Sequence, residues 1–259
     1  YEGAQADLEL ALEHIPEFPL LHLSLARLYT DMGEFELSLQ HAITANNLDL
    51  TLILSYYYMG RGQYETGEHL KAIQNLSTFL EYEPNSHFAY FYIGRAYQDI
   101  GYHENAIENL EMSLVKSPNL YWANYYLGLS WQTLGDYQEA LDNFDKAARS
   151  YPKEFWPVLE FGKTQLLMGE YFEGYLTLNA NKNYAATDEM KANHHFWLAT
   201  AYESIREEFY DDALVEWQAL LDLPFEAVPQ EWRDTASQRI QYGKPLNTPT
   251  PYPTLTPVP

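Results

Sequence analysis

The sequence predicts an all-α solenoid built from repeated helix pairs. Three observations carry that prediction. Gly33, Gly67, Gly101, Gly135 and Gly169 recur every 34 residues, and Gly60, Gly94, Gly128 and Gly162 form a second ladder with the same period. Pro84, Pro118 and Pro152 keep that period, with Pro16 two periods before Pro84 and Leu50 on the rung between; Ala4, Ser38, Ala72, Ala106, Ala140 and Gly174 keep it too. Between the ladders, residues such as Tyr90, Ile93 and Tyr97, or Ala140, Phe144 and Ala147, fall three or four apart and so share a helix face. A fixed period of this length marks an architecture in which each unit buries its apolar face against the next.

Residues 1–18 read as the second helix of a pair without its first. Tyr1 aligns with Phe35, His69, His103, Tyr137 and Tyr171. A half-unit cannot bury its apolar face alone, so a chain truncated or processed ahead of Tyr1 is expected. Residues 19–225 hold about six units, at 19–52, 53–86, 87–120, 121–154 and 155–188, with a looser one near 192–225. In each, the turn glycine ends one helix and lets the next fold back, and the proline stops the second helix. Leu198, Ala199, Tyr202, Ala213 and Trp217 fit the last unit only with about one residue inserted before Ala213. Asn181 stands where a small apolar residue is expected, which predicts looser packing over residues 179–190. Residues 226–243 hold a capping helix, with Trp232 and Ile240 turned toward the last unit. Residues 244–259 form a Pro/Thr-rich tail; its six prolines and four threonines favour an extended polyproline-type chain.

Leu127, Gly128, Trp131, Gly135, Tyr137, Ala140, Phe144, Ala147 and Pro152 carry a recognisable pattern. They resemble the tetratricopeptide repeat, and the likeness spans roughly residues 1–225. The resemblance implies a right-handed superhelix of such units, with positions 2, 5, 6, 9, 12 and 13 lining its inner surface. Carried over, this places Tyr57, Tyr58, Phe88, Phe91, Tyr92, Trp122, Tyr125, Tyr126 and Trp156 in an inner groove, and Phe196 and Trp197 there in a looser register. Position nine adds Arg27, Arg61, Arg95 and Lys163, with Leu129 between the last two. The implied function is a non-catalytic scaffold that binds an extended peptide segment, proline-rich or carrying a free carboxylate. Aromatic ledges suit proline-rich chains, and arginines over rings keep donors for carboxylates or carbonyls. The competing reading of each ring is packing between units. The chaperone-binding branch of the family uses a Lys and Asn carboxylate clamp. Here Leu23, Tyr57, Phe91 and Tyr125 stand at position five and Arg at position nine, so that function is not implied.

Composition narrows the alternatives. Across 259 residues, 15 Lys+Arg face 37 Asp+Glu, a net charge of −22. A phosphate-backbone binder needs a basic footprint, so nucleic acid is excluded as the expected partner. No apolar run is long enough to span a membrane. The chain has no cysteine, which removes a disulfide framework, a thiolate metal site and a cysteine nucleophile. No phosphate loop, calcium loop or His-Glu-x-x-His motif occurs, and neither cofactor nor metal is expected. His194 and His195 are adjacent and point about 100° apart on a helix, so a packing role is the expectation, with His195 on the core side. Glu207, Glu208, Asp211 and Asp212 read as a solvated helix start, and Asn75-Leu76-Ser77 as a chance glycosylation match inside a helix. Against the scaffold stands a self-assembling structural or cell-surface protein, a homo-oligomer whose tail docks on a neighbouring subunit. The tail composition favours an extracytoplasmic or cell-surface location; cytoplasm is the alternative.

Overall fold

The computed structural model describes residues 2–243; residue 1 and the tail at 244–259 lie outside the described residues, and the expected docking of that tail lies there with them. Among the described residues there are fourteen α-helices and no strand. The chain divides into two compact units, Tyr1–Ser130 and Trp131–Pro259. The first holds α1 (Glu2–His14), α2 (Pro19–Met32), α3 (Phe35–Leu48), α4 (Ile53–Glu65), α5 (His69–Tyr82), α6 (His87–Asp99), α7 (His103–Lys116) and most of α8 (Tyr121–Leu134). The second holds α9 (Tyr137–Ser150), α10 (Phe155–Leu167), α11 (Tyr171–Asn181), α12 (Asp188–Ile205), α13 (Tyr210–Leu221) and α14 (Gln230–Tyr242).

Within each unit consecutive helices pack on one another, as in a solenoid of helix pairs. In the first unit α2 also touches α4, and α4 touches α6; in the second α10 touches α12. The first helices of successive pairs therefore stand side by side. Gly33 shows how the turn is made. Its φ of 81° lies in the left-handed region, and the next amide, Glu34 N–H, donates to Tyr29 O at 2.8 Å. That bond satisfies a carbonyl the helix end would leave without a partner. The same bond recurs from Glu68 to Gln63, Tyr102 to Tyr97, Asp136 to Trp131 and Glu170 to Gln165. The second glycine ladder has a different cause. A Cβ on Gly94 would sit 2.8 Å from Leu110 Cγ and 3.1 Å from Ala106 O, so α6 and α7 approach only because that atom is missing.

The second unit departs from the period and is packed nonetheless. Asn181 is fully buried, and its amide donates to Phe155 O at 3.0 Å. Asn181 itself is held in place because its amide satisfies a backbone carbonyl inside the core, whereas the 3-10 turn that follows at Lys182–Tyr184 buries none of its residues. A 3-10 turn at Glu207–Phe209 replaces the glycine turn before α13 and absorbs the expected insertion. The capping helix α14 docks through Trp232, stacked on Phe196 at 4.3 Å, and through buried Ala236 and Arg239. Ile240 is exposed instead of facing the last unit. Arg239 takes the inward place because Glu203 accepts its Nε–H at 3.1 Å and Tyr210 donates to its carbonyl.

Candidate functional site

The aromatic and cationic positions separate into an open row and a buried set. In the first unit the Arg61 guanidinium lies 5.3 Å from the Tyr92 ring and 5.9 Å from that of Phe35. One repeat later, the Arg95 guanidinium lies 3.6 Å from Tyr126 and 5.3 Å from Tyr64. Tyr64 and Tyr92 are 5.5 Å apart, so the order along the row is Phe35, Arg61, Tyr92, Tyr64, Arg95, Tyr126. The 34-residue period produces this. An arginine on the first helix of one pair reaches the tyrosine 31 residues later on the first helix of the next. Arg27 is exposed at the start of the row, close enough for its charge to act on Tyr58.

Neither Arg61 nor Arg95 has an ion-pair partner among the described residues, and both keep a buried Nε–H without an acceptor. A buried donor left unpaired costs free energy. The aromatic faces offset part of this by attracting the cation, about 0.5–2 kcal/mol per contact. Burial pushes the Tyr57 phenol up to about 12, with Tyr92 adding and Arg61 opposing. Burial likewise raises Tyr58, Tyr64, Tyr92 and Tyr126, so the row offers protonated hydroxyls. Glu65 joins the row four residues after Arg61. Desolvation pushes its carboxyl up, opposed by Arg61 and Arg95 and reinforced by Asp99.

Other expected groove residues lie elsewhere. Phe91 and Tyr125 are 9% and 8% exposed and belong to the packing between helices, touching Tyr92 and Tyr126 edge-on. Lys163 is 4% exposed and bonded to Glu160 Oε1 at 2.6 Å, with the Trp197 ring 5.0 Å away. It lies in the interior because a buried carboxylate holds it there. Phe196 and Trp197 are core residues too. Phe88 is exposed against His87; Trp122 and Trp156 are half-buried, with Trp122 stacked on Tyr126 at 6.0 Å. Phe35 and Tyr64 flank the row without having been expected there; Tyr64, 8% exposed like Tyr125, meets Arg95 from the packed core. Tyr64 occupies position twelve, one of the inner positions, so the pattern could have found it. Phe35 opens a second helix, and nothing in the period points to it.

The histidine pair also differs from expectation. His194 is the core residue, 1% exposed, its Nε2–H donating to Leu178 O at 3.1 Å; His195 is half-buried and bonds Glu216 through Nδ1 at 2.5 Å. Ligand atoms of His194, His195 and Glu216 lie within 4.8 Å of one another. Burial, then the neighbouring His195, pushes His194 below its ordinary value of 6.5. A histidine whose folded value is depressed contributes stability that is whole above 6.5 and is lost as pH falls through the folded value. The second unit should therefore melt at a lower temperature at pH 5.5 than at pH 7.5. His194→Gln should flatten that slope in scanning calorimetry, and an unchanged slope would assign the effect elsewhere. A separate surface recess of about 470 Å³ lies between the start of α11 and the α12–α13 turn, against Tyr171, Phe172, Arg206 and Phe209. Among the described residues no helix is long and apolar enough to cross a membrane.

Comparison with known proteins decides the family. The sequence profile of the tetratricopeptide repeat matches residues 54–86 and 122–154, which in each case is a helix pair less its first residue. The chain carries tetratricopeptide repeats. Solved repeat structures agree in fold. A tetratricopeptide repeat protein from Parabacteroides merdae shares 17% identity over 87% of this chain and 87% of its own, at a TM-score of 0.67. The APC/C hetero-tetramer Cut9–Hcn1 shares 18% identity over 91% of this chain and 46% of its own, at 0.65. YrrB, described as a TPR protein with an unusual peptide-binding site, shares 17% identity over 71% of this chain and 94% of its own, at 0.59. No curated protein matches the chain. In this tetratricopeptide repeat protein the helix pairs set the spacing of Arg61 and Arg95.

Proposed function

We propose that this tetratricopeptide repeat protein is a non-catalytic interaction scaffold, and that the Arg61–Arg95 row binds an extended segment of a partner protein. The observation that carries the reading is a pair of half-buried guanidiniums, one repeat apart, each between aromatic rings and each with a buried donor lacking an acceptor. Such groups await carbonyl or carboxylate oxygens, and the rings between them suit proline or aromatic side chains. A chain of net charge −22 repels strongly acidic bodies, which favours a segment with isolated acceptors over an acidic run. The unusual peptide-binding site described for YrrB supports the same use of the fold.

The test begins with peptides selected by display against the intact chain. Calorimetry should show the best of them losing about tenfold to hundredfold in affinity to the Arg61→Ala/Arg95→Ala double variant, or about 1.4–2.8 kcal/mol. Arg149→Ala removes an exposed guanidinium paired with Asp145 and should leave affinity unchanged. Equal affinity in the double variant, with circular dichroism unchanged, would remove the proposal.

A further inference from the structure

Away from that row, in the first unit, two histidines from different helices meet end to end. His22 Nδ1 lies 3.0 Å from His41 Nδ1, and His22 Nε2 lies 2.9 Å from Pro16 O. A carbonyl only accepts, so His22 Nε2 carries a proton. In the neutral pair His22 Nδ1 is then bare and accepts from His41 Nδ1–H, which leaves His41 Nε2 bare. Both rings are half-buried. The groups facing them are Tyr29, whose ring stacks on His41 at 5.5 Å, and Glu9 from α1, which accepts from Tyr29 Oη at 2.9 Å. Burial, then His22, holds His41 below its ordinary value, with Glu9 opposing.

We propose that His22 and His41 form a two-imidazole site for a late first-row divalent cation, zinc in particular. Two imidazoles on one tetrahedral zinc, at about 2.0–2.1 Å per bond, place their nitrogens about 3.3 Å apart. The two Nδ1 atoms stand at 3.0 Å, with the ring centroids 5.2 Å apart. The rings need only turn within their planes to aim both lone pairs at one ion between α2 and α3. The bond from His22 Nε2–H to Pro16 O is the outer-shell contact that fixes a ligating imidazole in its tautomer. Glu9 adds a nearby negative charge, and water completes the coordination.

The proton count closes. On binding, the proton between the rings moves through solvent to His41 Nε2, so a neutral pair takes up zinc with no net proton release. A pair already carrying one extra proton releases it. The other histidine cluster is less suited. His195 already faces the Glu216 carboxylate at 2.5 Å, and the Lys182 ammonium adds positive charge that lowers both His194 and Glu216.

Zinc chloride titrated into the intact chain by calorimetry should show one site that dominates. His22→Gln and His41→Gln should each weaken it at least tenfold, and His195→Gln should leave it unchanged. Absence of binding, or a site lost in His195→Gln and kept in the other two, overturns the assignment. Should a variant not fold, proton–nitrogen correlation spectra of the unaltered chain decide. Zinc should shift the ring nitrogens of His22 and His41 ahead of the other six histidines, and shifts confined to other histidines contradict the proposal.

Discussion

Trp217→Ala should destabilise the second unit by about 3–5 kcal/mol. Trp217 is fully buried, its ring 5.4 Å from Phe196, which in turn stacks on Trp232 of the capping helix. Removing the indole opens a cavity where α12, α13 and α14 meet. It also removes the Nε1–H donated to Glu203 Oε1 at 2.7 Å, and Glu203 is 2% exposed. Trp217→Phe separates the two losses, because it keeps most of the apolar volume and gives up the hydrogen bond. That variant should cost about 1.5–3 kcal/mol, the range for a bond to a charged group. Helix-pair arrays do not always unfold in one step, so the readout is amide exchange of α12–α14. A change below about 1 kcal/mol in Trp217→Ala would show that the packing described is not what holds the cap.

Lys163→Ala should cost a similar amount, about 3–5 kcal/mol. It leaves Glu160 buried and charged, with Gln132 Nε2 at 3.3 Å as its remaining side-chain donor. The penalty belongs to the stranded charge more than to the pair, since well-packed apolar groups often replace a buried ion pair without loss. Lys163→Met combined with Glu160→Leu should therefore recover most of the stability lost in Lys163→Ala. Chemical denaturation of the single and double variants closes this cycle. A double variant no more stable than the single one contradicts it. Arg61 and Arg95 share the repeat position of Lys163, yet no carboxylate of the described residues stands within ion-pair distance of either. Their removal should cost about 1 kcal/mol or less in stability and act instead on binding.

This contrast marks what the sequence makes legible. Each glycine ladder has its own recurring cause, a left-handed turn at Gly33, Gly67, Gly101, Gly135 and Gly169 and a missing Cβ at Gly60, Gly94 and Gly162, so the period read from the sequence reappears in the structure. Position nine carries no such guarantee. Arg61 and Lys163 share a register, but Glu160 one turn earlier pulls Lys163 inward, and no periodic signal encodes that. Asn181 breaks the pattern for the same kind of reason, because its amide serves a carbonyl on α10 that the repeat alone does not reveal. In the capping helix, hydrophobicity points to Ile240. The inward residue is Arg239, chosen by a buried carboxylate 36 residues earlier. Tyr64 is within reach of the inner positions, whereas Phe35 enters the row from the second helix of its pair. The meeting of His22 and His41 depends on how α2 and α3 cross, which the spacing of 19 residues does not specify.

The most direct measurement follows the Nε–H resonances of Arg61 and Arg95 while a selected peptide is added. Both protons are buried without an acceptor among the described residues. Binding along the row should move both signals, slow their exchange with water, and leave Arg149 unaffected. A peptide that binds tightly while both signals stay in place would contradict the assignment of this row as the recognition surface.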